Sequence, residues 1–458
     1  MQVRQIDLAG SQSKFLAWLQ KKIPEATEIS IANIERSGSG LSNETFLFDM
    51  GWKEGGKSQS RGMVLRLPPK SFPVHPEYDL SKQFAVMQIL GKTSVPVPKV
   101  YWMEEDAGVL GAPFYVMGTL KGIVPPDYPP YHSFGVYFDA TPSQRAKIWW
   151  GSVDAMADVH KLDWKKLGFS FLGVPKGGTD PVDRRLDYLE KFLNWTKEGP
   201  EDSQPVLEAG LKWLRENHYV PEQVTLCWGD SRPPNTMYDQ DFEVVAVLDW
   251  EMAFIGDPES DLAWFLFMDW QHSEGVGIPR LDGSPSTEET VKHYEKRTGF
   301  RVKNLFYNEV LNAFWYSIIM AKIYKNFKKM GVVIPGDQTE YNTPGHMRLA
   351  SLLNLPVPRT TRQVTKVEET TAIVQFTLTG QGGSDWYLVC DKGQATRYEG
   401  KAANPTCNLI MAAEDWAAVQ RGDLQRSTAY MTGKLMIEGD MTMLLQLEDV
   451  ISKFTKSG

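Results

Sequence analysis

Apolar and polar positions alternate from Ile29 to Met50 and again from Met63 to Leu67, around a Gly/Ser turn. This period of two predicts an antiparallel hairpin and a neighbouring strand. Gly55 to Gly62 (GGKSQSRG) reads as a mobile hairpin tip. From Tyr78 the period changes: Leu80, Phe84, Met87, Ile89 and Leu90 fall near helical spacing. VPVPK at 95–99 ends that helix, because proline lacks an N–H and clashes with the preceding turn. Ala112 to Met117 is a short strand, and Gly118 to Gly122 connects it to a second region. There the pattern is helical from Thr141 onward, as in Arg145 to Lys161 and Pro181 to Trp195. The expectation is an α+β protein with a small β-rich lobe over residues 1–110 and a mainly helical lobe over 111–360.

A composition shift comes after Leu355, where PVPRTTRQVTKVEE is rich in Pro and Thr and charged. Alternation then resumes, predicting strands at Ala372–Thr379, Asp385–Cys390, Gln394–Glu399 and Cys407–Met411, a helix at Ala413–Arg421, and Met-rich segments around Gly433 and Gly439. A third unit is placed at 366–458. The chain has no internal repeat.

Composition narrows the class. With 458 residues, 42% hydrophobic and 23% charged, the chain can bury two or three cores. Cys227, Cys390 and Cys407 lie far apart, which argues against a disulfide framework or zinc site and for a reducing, cytoplasmic setting. The longest apolar run, Ala313 to Ala321, is about half of a membrane span. A net charge of −8 disfavours a general nucleic-acid or anionic-membrane surface.

The chemistry concentrates in CWGDSRPPNTMYDQDFEVVAVLDWEMAFIGDPESDLAWF, 227–265. Phosphoryl transfer needs a carboxylate to orient and deprotonate a hydroxyl, and an amide oxygen plus a second carboxylate to hold Mg²⁺ at nucleotide phosphates. Asp230, Asn235 and Asp249 supply those groups in that order. The proline pair keeps the first loop non-helical, and the β-branched run Glu243–Leu248 ends a strand at Asp249. Asp257 and Asp261 come next, and Asp261 reads as a structural hydrogen-bonding group. The loop SGSGLSNET at 37–45 has small residues that let backbone N–H groups approach phosphates, with Ser42 and Asn43 as side-chain donors. Arg66, in MVLRLPP, is the candidate cation for the phosphates, a fork of donors in place of a lysine point charge. Its carboxylate partner stays open: the best-aligned residue is Gln83, with Glu77 and Asp79 nearby. Beside Asp183, the paired Arg184 and Arg185 fall in the region where an acceptor-binding helix is expected. They fit either a phosphate receptor or an ordinary amphipathic surface.

These motifs resemble the aminoglycoside/choline phosphotransferase family, a bilobal protein-kinase-like fold, over residues from about 30 to 355. The residues that carry the resemblance are GLSNETF at 40–46, VLRLPP at 64–69, VPVPKVYWMEEDAGVLGAPFYVM at 95–117, WGDSRPPN at 228–235, LDWEMAFIGDPESDLAW at 248–264 and HYEKRTG at 293–299. They are most similar to the branch of kinase domains fused to acyl-CoA dehydrogenases. The resemblance implies ATP and Mg²⁺ as cofactors, Asp230 as base, Asn235 and Asp249 as metal ligands, and backbone around Val116 to Gly118 at adenine. Trp228 stands where the family usually has histidine, so the catalytic loop must be braced differently.

Residues from about 366 to 458 resemble the sterol-carrier-protein type-2 fold, an α/β lipid-binding module. The carrying segments are GGSDWYLVCDKGQA at 382–395, NLIMAAEDWAAVQRGDL at 408–424 and AYMTGKLMIEGDMTMLLQL at 429–447, and Met431, Met436, Met441 and Met443 could line its pocket. Together the resemblances imply a kinase acting on the hydroxyl of a small lipid-like acceptor, a hydroxyacyl-CoA or sterol-type alcohol, without nucleic acid or a membrane span as partner. The alternatives are a lipid-binding protein on a degenerate kinase scaffold, for which Trp228 and Gln83 speak, and an aminoglycoside phosphotransferase.

Overall fold

The computed structural model describes residues 8–36, 43–69, 72–173, 180–199, 201–330, 339–356, 371–391, 394–421, 429 and 434–439. Its first element, α1 (Leu8–Lys22), has no counterpart in the sequence expectations. Phe15, Trp18 and Leu19 form its buried stripe, against Phe48 and Phe114 of the first sheet. That sheet holds β1 (Thr27–Arg36), β2 (Glu44–Glu54), β3 (Lys57–Leu67), β4 (Val100–Glu104) and β5 (Phe114–Gly118) in the order β1-β2-β3-β5-β4. The ladder of β2 and β3 runs unbroken from Glu44↔Leu67 to Glu54↔Lys57. GGKSQSRG is therefore a two-residue turn leading into strand rather than a loose tip: only Gly55 and Gly56 carry the positive φ that a tight turn requires. The helix α2 (Leu80–Leu90) starts at the N-cap Asp79 and packs beneath β4 and β5. Because β5 pairs with β3 and β4, the sheet extends to Gly118, beyond the division expected at residue 110.

The second lobe opens with helices: α3 (Val136–Asp139), α4 (Pro142–His160), α5 (Trp164–Leu167), α6 (Pro181–Thr196) and α7 (Pro205–Glu216). Thr141 and Gln144 form a reciprocal capping box at the start of α4, with Pro142 in the first turn. Four short strands then carry the site: β6 (Thr225–Cys227), β7 (Thr236–Tyr238), β8 (Val244–Val247) and β9 (Phe254–Gly256), paired as β6-β9 and β7-β8. Behind them lie α8 (Pro258–Gln271), α9 (Thr287–Thr298), α10 (Leu305–Met330) and α11 (Pro344–Leu352). The helix α8 is buried nearly all round, as its run of apolar residues requires. One core joins α2, β5, α4 and the strand cluster through Val86, Tyr115, Trp149, Val153, Trp228 and Ile255, so the short strands rest on a rigid base. A backbone hydrogen bond from Val247 N–H to Pro96 O (2.8 Å) also ties β8 to the segment before β4.

Among the described residues, the C-terminal part forms a separate five-stranded sheet. It comprises β10 (Thr371–Thr379), β11 (Asp385–Asp391), β12 (Gln394–Glu399), β13 (Cys407–Ala412) and β14 (Leu435–Gly439), in the order β12-β11-β10-β13-β14, with α12 (Ala413–Arg421) alongside. Only β10 and β13 are parallel, the pair whose link is long enough for a crossover. Its core stacks Phe376 on Trp386 at 3.9 Å, with Trp416 edge-on. Met436 is 53% exposed on β14 and lines no core, because its neighbours Leu435 and Ile437 take the inward positions. Met431, Met441 and Met443 lie outside the described residues.

Candidate active site

The segment from β6 into β7 builds the candidate catalytic loop. Trp228, Gly229 and Asp230 come directly after β6, and a single 3-10 turn, Pro233–Asn235, delivers Asn235 at the start of β7. Gly229 has φ +88°, and a Cβ placed there would lie 2.1 Å from the Met252 carbonyl oxygen, so only glycine fits. The carboxylate of Asp261 on α8 accepts the N–H groups of Trp228 (2.5 Å) and Gly229 (2.8 Å), and His160 Nε2 lies 3.0 Å from it. Asp261 is 1% exposed and fixes the loop backbone, the structural role expected from the sequence. The Trp228 indole N–H donates to the carbonyls of Leu248 (2.8 Å) and Asp249 (3.2 Å). An indole thus joins the catalytic loop to the loop after β8, the brace that the missing histidine left open.

Asp230 is buried, and both its oxygens are engaged. Trp264 Nε1–H donates to Oδ1 at 2.8 Å, and Asn235 Nδ2–H donates to Oδ2 at 2.6 Å. Arg232 Nε lies 2.9 Å from Oδ1 and reaches Asp127 with its other end. Burial raises the Asp230 carboxyl above its ordinary range; Arg232 opposes this, and Asp249 and Asp127 reinforce it. The opposite holds for Asp127: burial would raise it, but Arg232 and His272 together hold it down at about 2.

Asp249 lies just past β8 with φ +54°, a left-handed conformation that Asp tolerates better than most residues and that turns it sharply out of the strand. Both its carboxylate oxygens lie 3.3 Å from Arg66 Nη2. The partner left open for Arg66 is therefore Asp249. Gln83 instead accepts from the Tyr115 hydroxyl at 3.3 Å, Asp79 caps α2, and Glu77 is exposed. Burial pulls the Arg66 guanidinium down, but Asp249, Tyr115 and Glu251 outweigh it and leave it above its ordinary value.

Glu251 adds a second link across the cleft: it accepts from Asn43 Nδ2 at 2.6 Å and lies 3.6 Å from His75 Nε2. Burial lowers His75 to about 4, with Asp249 opposing and Arg185 assisting, so the ring is neutral at pH 7. Acid should consequently destabilise this lobe interface. The unfolded His takes up its proton near pH 6.5, while the folded ring resists down to about 4. Stability is therefore full above pH 6.5 and falls as the pH drops through that window, by on the order of 2 kcal/mol at pH 5. His75→Gln should flatten the fall, read from urea midpoints at pH 5 and 7.

The structure brings together Asp230, Asn235, Asp249, Arg66 and, through Glu251, Asn43. Val116 and Gly118 sit on β5 beside β3, with the Val116 side chain in the sheet core and the Gly118 N–H donated to Lys99 O at 2.9 Å. Ser42 lies outside the described residues. The sequence reading missed Arg232, Asp127, Glu251, His75 and Trp264. Only Arg232 carried a signal, as a cation two residues after Asp230.

The donor set fits a hard divalent cation. Asn235 commits its amide nitrogen to Asp230, which leaves the amide oxygen at the other end, and the Asp249 carboxylate is engaged only at 3.3 Å by Arg66. Two oxygen donors of this kind suit Mg²⁺. Asp257, by contrast, is the N-cap of α8 and is held by Tyr219 and Asn308, so it has a structural part.

Comparison with known proteins fits this geometry. The family model described as the phosphotransferase enzyme family matches residues 33–284, and that of the SCP-2 sterol transfer family matches residues 357–452. Acyl-CoA dehydrogenase family member 11 of Rattus norvegicus is 27% identical over 299 residues, 62% of this chain and 35% of that protein. Hydroxysteroid dehydrogenase-like protein 2 of Bos taurus is 31% identical over 88 residues, 19% of this chain and 21% of that protein. The chain thus spans about a third of the first relative and less of the second. A crystal structure of a provisionally assigned aminoglycoside phosphotransferase from Ralstonia eutropha superposes with a TM-score of 0.53 at 25% identity, covering 74% of this chain and 95% of that one. No helix among the described residues is long and apolar enough to cross a membrane.

Proposed function

The chain belongs to the phosphotransferase enzyme family, and we propose that it transfers the terminal phosphoryl group of ATP to a hydroxyl of a small lipid-like molecule, of hydroxyacyl-CoA or sterol type. The observation that carries this reading is the Asp230 carboxylate, buried, raised in basicity and aimed by Trp264 and Asn235, within the electrostatic reach of Asp249. The acceptor oxygen forms a bond to the γ-phosphorus, the bond from that phosphorus to the β–γ bridging oxygen breaks, ADP departs, and the hydroxyl proton passes to Asp230. Arg66 moves from Asp249 to phosphate oxygens, an exchange its long 3.3 Å contacts permit. Asn235 and Asp249 would hold Mg²⁺, which when bound supplies charge neutralisation at the phosphates. Arg232, already beside Asp230, adds a cation on the acceptor side.

The lipid character of the acceptor rests on the C-terminal SCP-2 match and on the similarity to part of an acyl-CoA dehydrogenase family member. The degenerate-scaffold reading loses its two supports, since Trp228 braces the loop through its indole and Gln83 is not needed as the partner of Arg66. Calorimetry with and without Mg²⁺ tests the nucleotide site. Wild type should bind ATP only weakly without the metal, and Asp249→Ala should lose roughly tenfold or more of the Mg·ATP affinity. Equal binding in the variant would remove Asp249 from the site.

A further inference from the structure

The helix α6 carries Arg184 and Arg185, and the structure separates their roles. Arg184 donates to the Ile255 carbonyl at 2.6 Å and so anchors α6 to β9. Arg185 does something else. Its guanidinium lies over the Trp315 ring at 3.7 Å, flanked by Phe254 at 4.6 Å and Tyr188 at 5.5 Å. Its Nε and Nη2 are shielded from water and hold no hydrogen-bond acceptor. Among the described residues no carboxylate pairs with it. The formal charge that acts on it, Asp261, is already committed to the Trp228 and Gly229 N–H groups.

Arg185 is half-buried, and leaving two of its donors covered and unpaired works against the folded state, so native proteins seldom keep such an arrangement without a use. Nε and Nη2 form the side edge of the guanidinium, the pair of parallel donors that matches two oxygens of a carboxylate or phosphate. Stacking on Trp315 fixes the plane of that fork. Its place is also specific. Trp315 packs on Trp264 at 4.7 Å with the ring planes tilted by 40°, and the Trp264 indole donates to Asp230, so two indoles in contact connect the fork to that carboxylate. Phe254 lies on the strand just beyond the Asp249 loop, and Arg185 acts electrostatically on His75 in the cleft.

We propose that Arg185 is the receptor for an oxyanion on the acceptor, a carboxylate or a phosphate, and that Tyr188, Phe254 and Trp315 line the apolar stretch beside it. The acceptor class is therefore an anionic, partly apolar alcohol. A neutral sterol-type alcohol and a polycationic aminoglycoside both leave the fork unpaired, and the second adds like-charge repulsion. This inference rests on the phosphotransferase reading for its catalytic meaning but not for its test.

The test is calorimetric binding to the full chain of three probes: 3-hydroxyoctanoate, its methyl ester and 3-hydroxyoctanoyl-CoA. Any binding by the C-terminal unit is common to wild type and variants and cancels in the comparison. Arg185→Met should weaken one or both anionic probes roughly tenfold to a hundredfold, Arg185→Lys less, and the methyl ester should bind weakly to all three proteins. The free acid responding identifies a carboxylate as the anion; the thioester alone responding identifies a phosphate. Without ligand, Arg185→Met should melt at or above the wild-type temperature, since two covered, unpaired donors are removed. Equal affinities in wild type and Arg185→Met, a methyl ester bound as tightly as the anions, or no binding of either anion at millimolar concentration would each overturn the proposal. Arg185-dependent binding without phosphoryl transfer sinks only the phosphotransferase reading. Transfer indifferent to residue 185 sinks only this one.

Discussion

Asp230→Asn should lower kcat by about 10²- to 10⁴-fold while leaving Mg·ATP affinity nearly unchanged. The substitution keeps the shape of the side chain but leaves one oxygen for the two donors, Trp264 and Asn235, and it removes the carboxylate placed to take the acceptor's proton. Because burial raises this carboxyl in the folded protein, it is protonated at a higher pH than an ordinary Asp as the solution is acidified. The acid limb of kcat/KM should therefore lie above the usual carboxylate range and vanish from the residual activity of the variant. The same sign fixes the stability effect. A folded pKa above the unfolded one means that ionised Asp230 works against the native state at neutral pH, so its contribution favours folding more as the pH falls into the carboxyl's range; Asp230→Asn removes that dependence, while its amide turns an N–H group toward the Trp264 or Asn235 donor. ADP release with a hydroxyacyl acceptor, measured across pH, checks both rate and limb. Full turnover in the variant would end the assignment of Asp230 as base.

What the sequence discloses about this site depends on how far apart its parts lie along the chain. Asp230, Asn235 and Asp249 were legible because their order and spacing are local, fixed by a proline-pinned turn and by one β-branched strand. The partners that set their charge state come from afar. Arg232 meets Asp127 across 105 positions, and Asn43 meets Glu251 across 208. No local pattern marks Asp127 or Glu251, since a carboxylate in a proline-rich loop or beside an apolar run reads as solvated. Arg66 shows the same limit from the other side. Its place as a candidate cation was visible from its strand, but its carboxylate was sought on the next helix, whereas the fold supplies it 183 positions later.

The fold was legible wherever a period persisted. Strands β2 and β3 and the helices α2, α4 and α6 are readable from alternation or helical spacing, and capping residues mark several of their starts. The helix α1 escaped because its fully buried stripe, Phe15, Trp18 and Leu19, is short, with only Leu16 and Ile23 partly covered beside it. That is too short a pattern to register until the sheet is there to receive it. The turn at Gly55–Gly56 was read too broadly for a related reason. Polar strand residues such as Lys57 to Arg61 look like loop when both faces of a protruding hairpin meet water.

Asp261→Ala should destabilise the phosphotransferase part by on the order of 3–5 kcal/mol and abolish turnover in whatever remains folded. The carboxylate is almost fully buried, and its loss strands the N–H groups of Trp228 and Gly229 along with His160. Each stranded donor costs about 1–3 kcal/mol, because no water replaces the lost acceptor. Gly229 has little room to turn toward another partner, since the Met252 backbone packs directly against it. Asp261→Asn separates charge from geometry: its single oxygen can satisfy one of the two N–H groups, so it should recover part of the stability and little of the activity. Denaturant unfolding of both variants, together with nucleotide-binding competence, measures the effect. A loss below about 1 kcal/mol in Asp261→Ala would mean that the loop holds its shape through Trp228 and the Ser231 hydroxyl alone. The catalytic geometry would then be set by the strands, and the helix behind them would be a passive support.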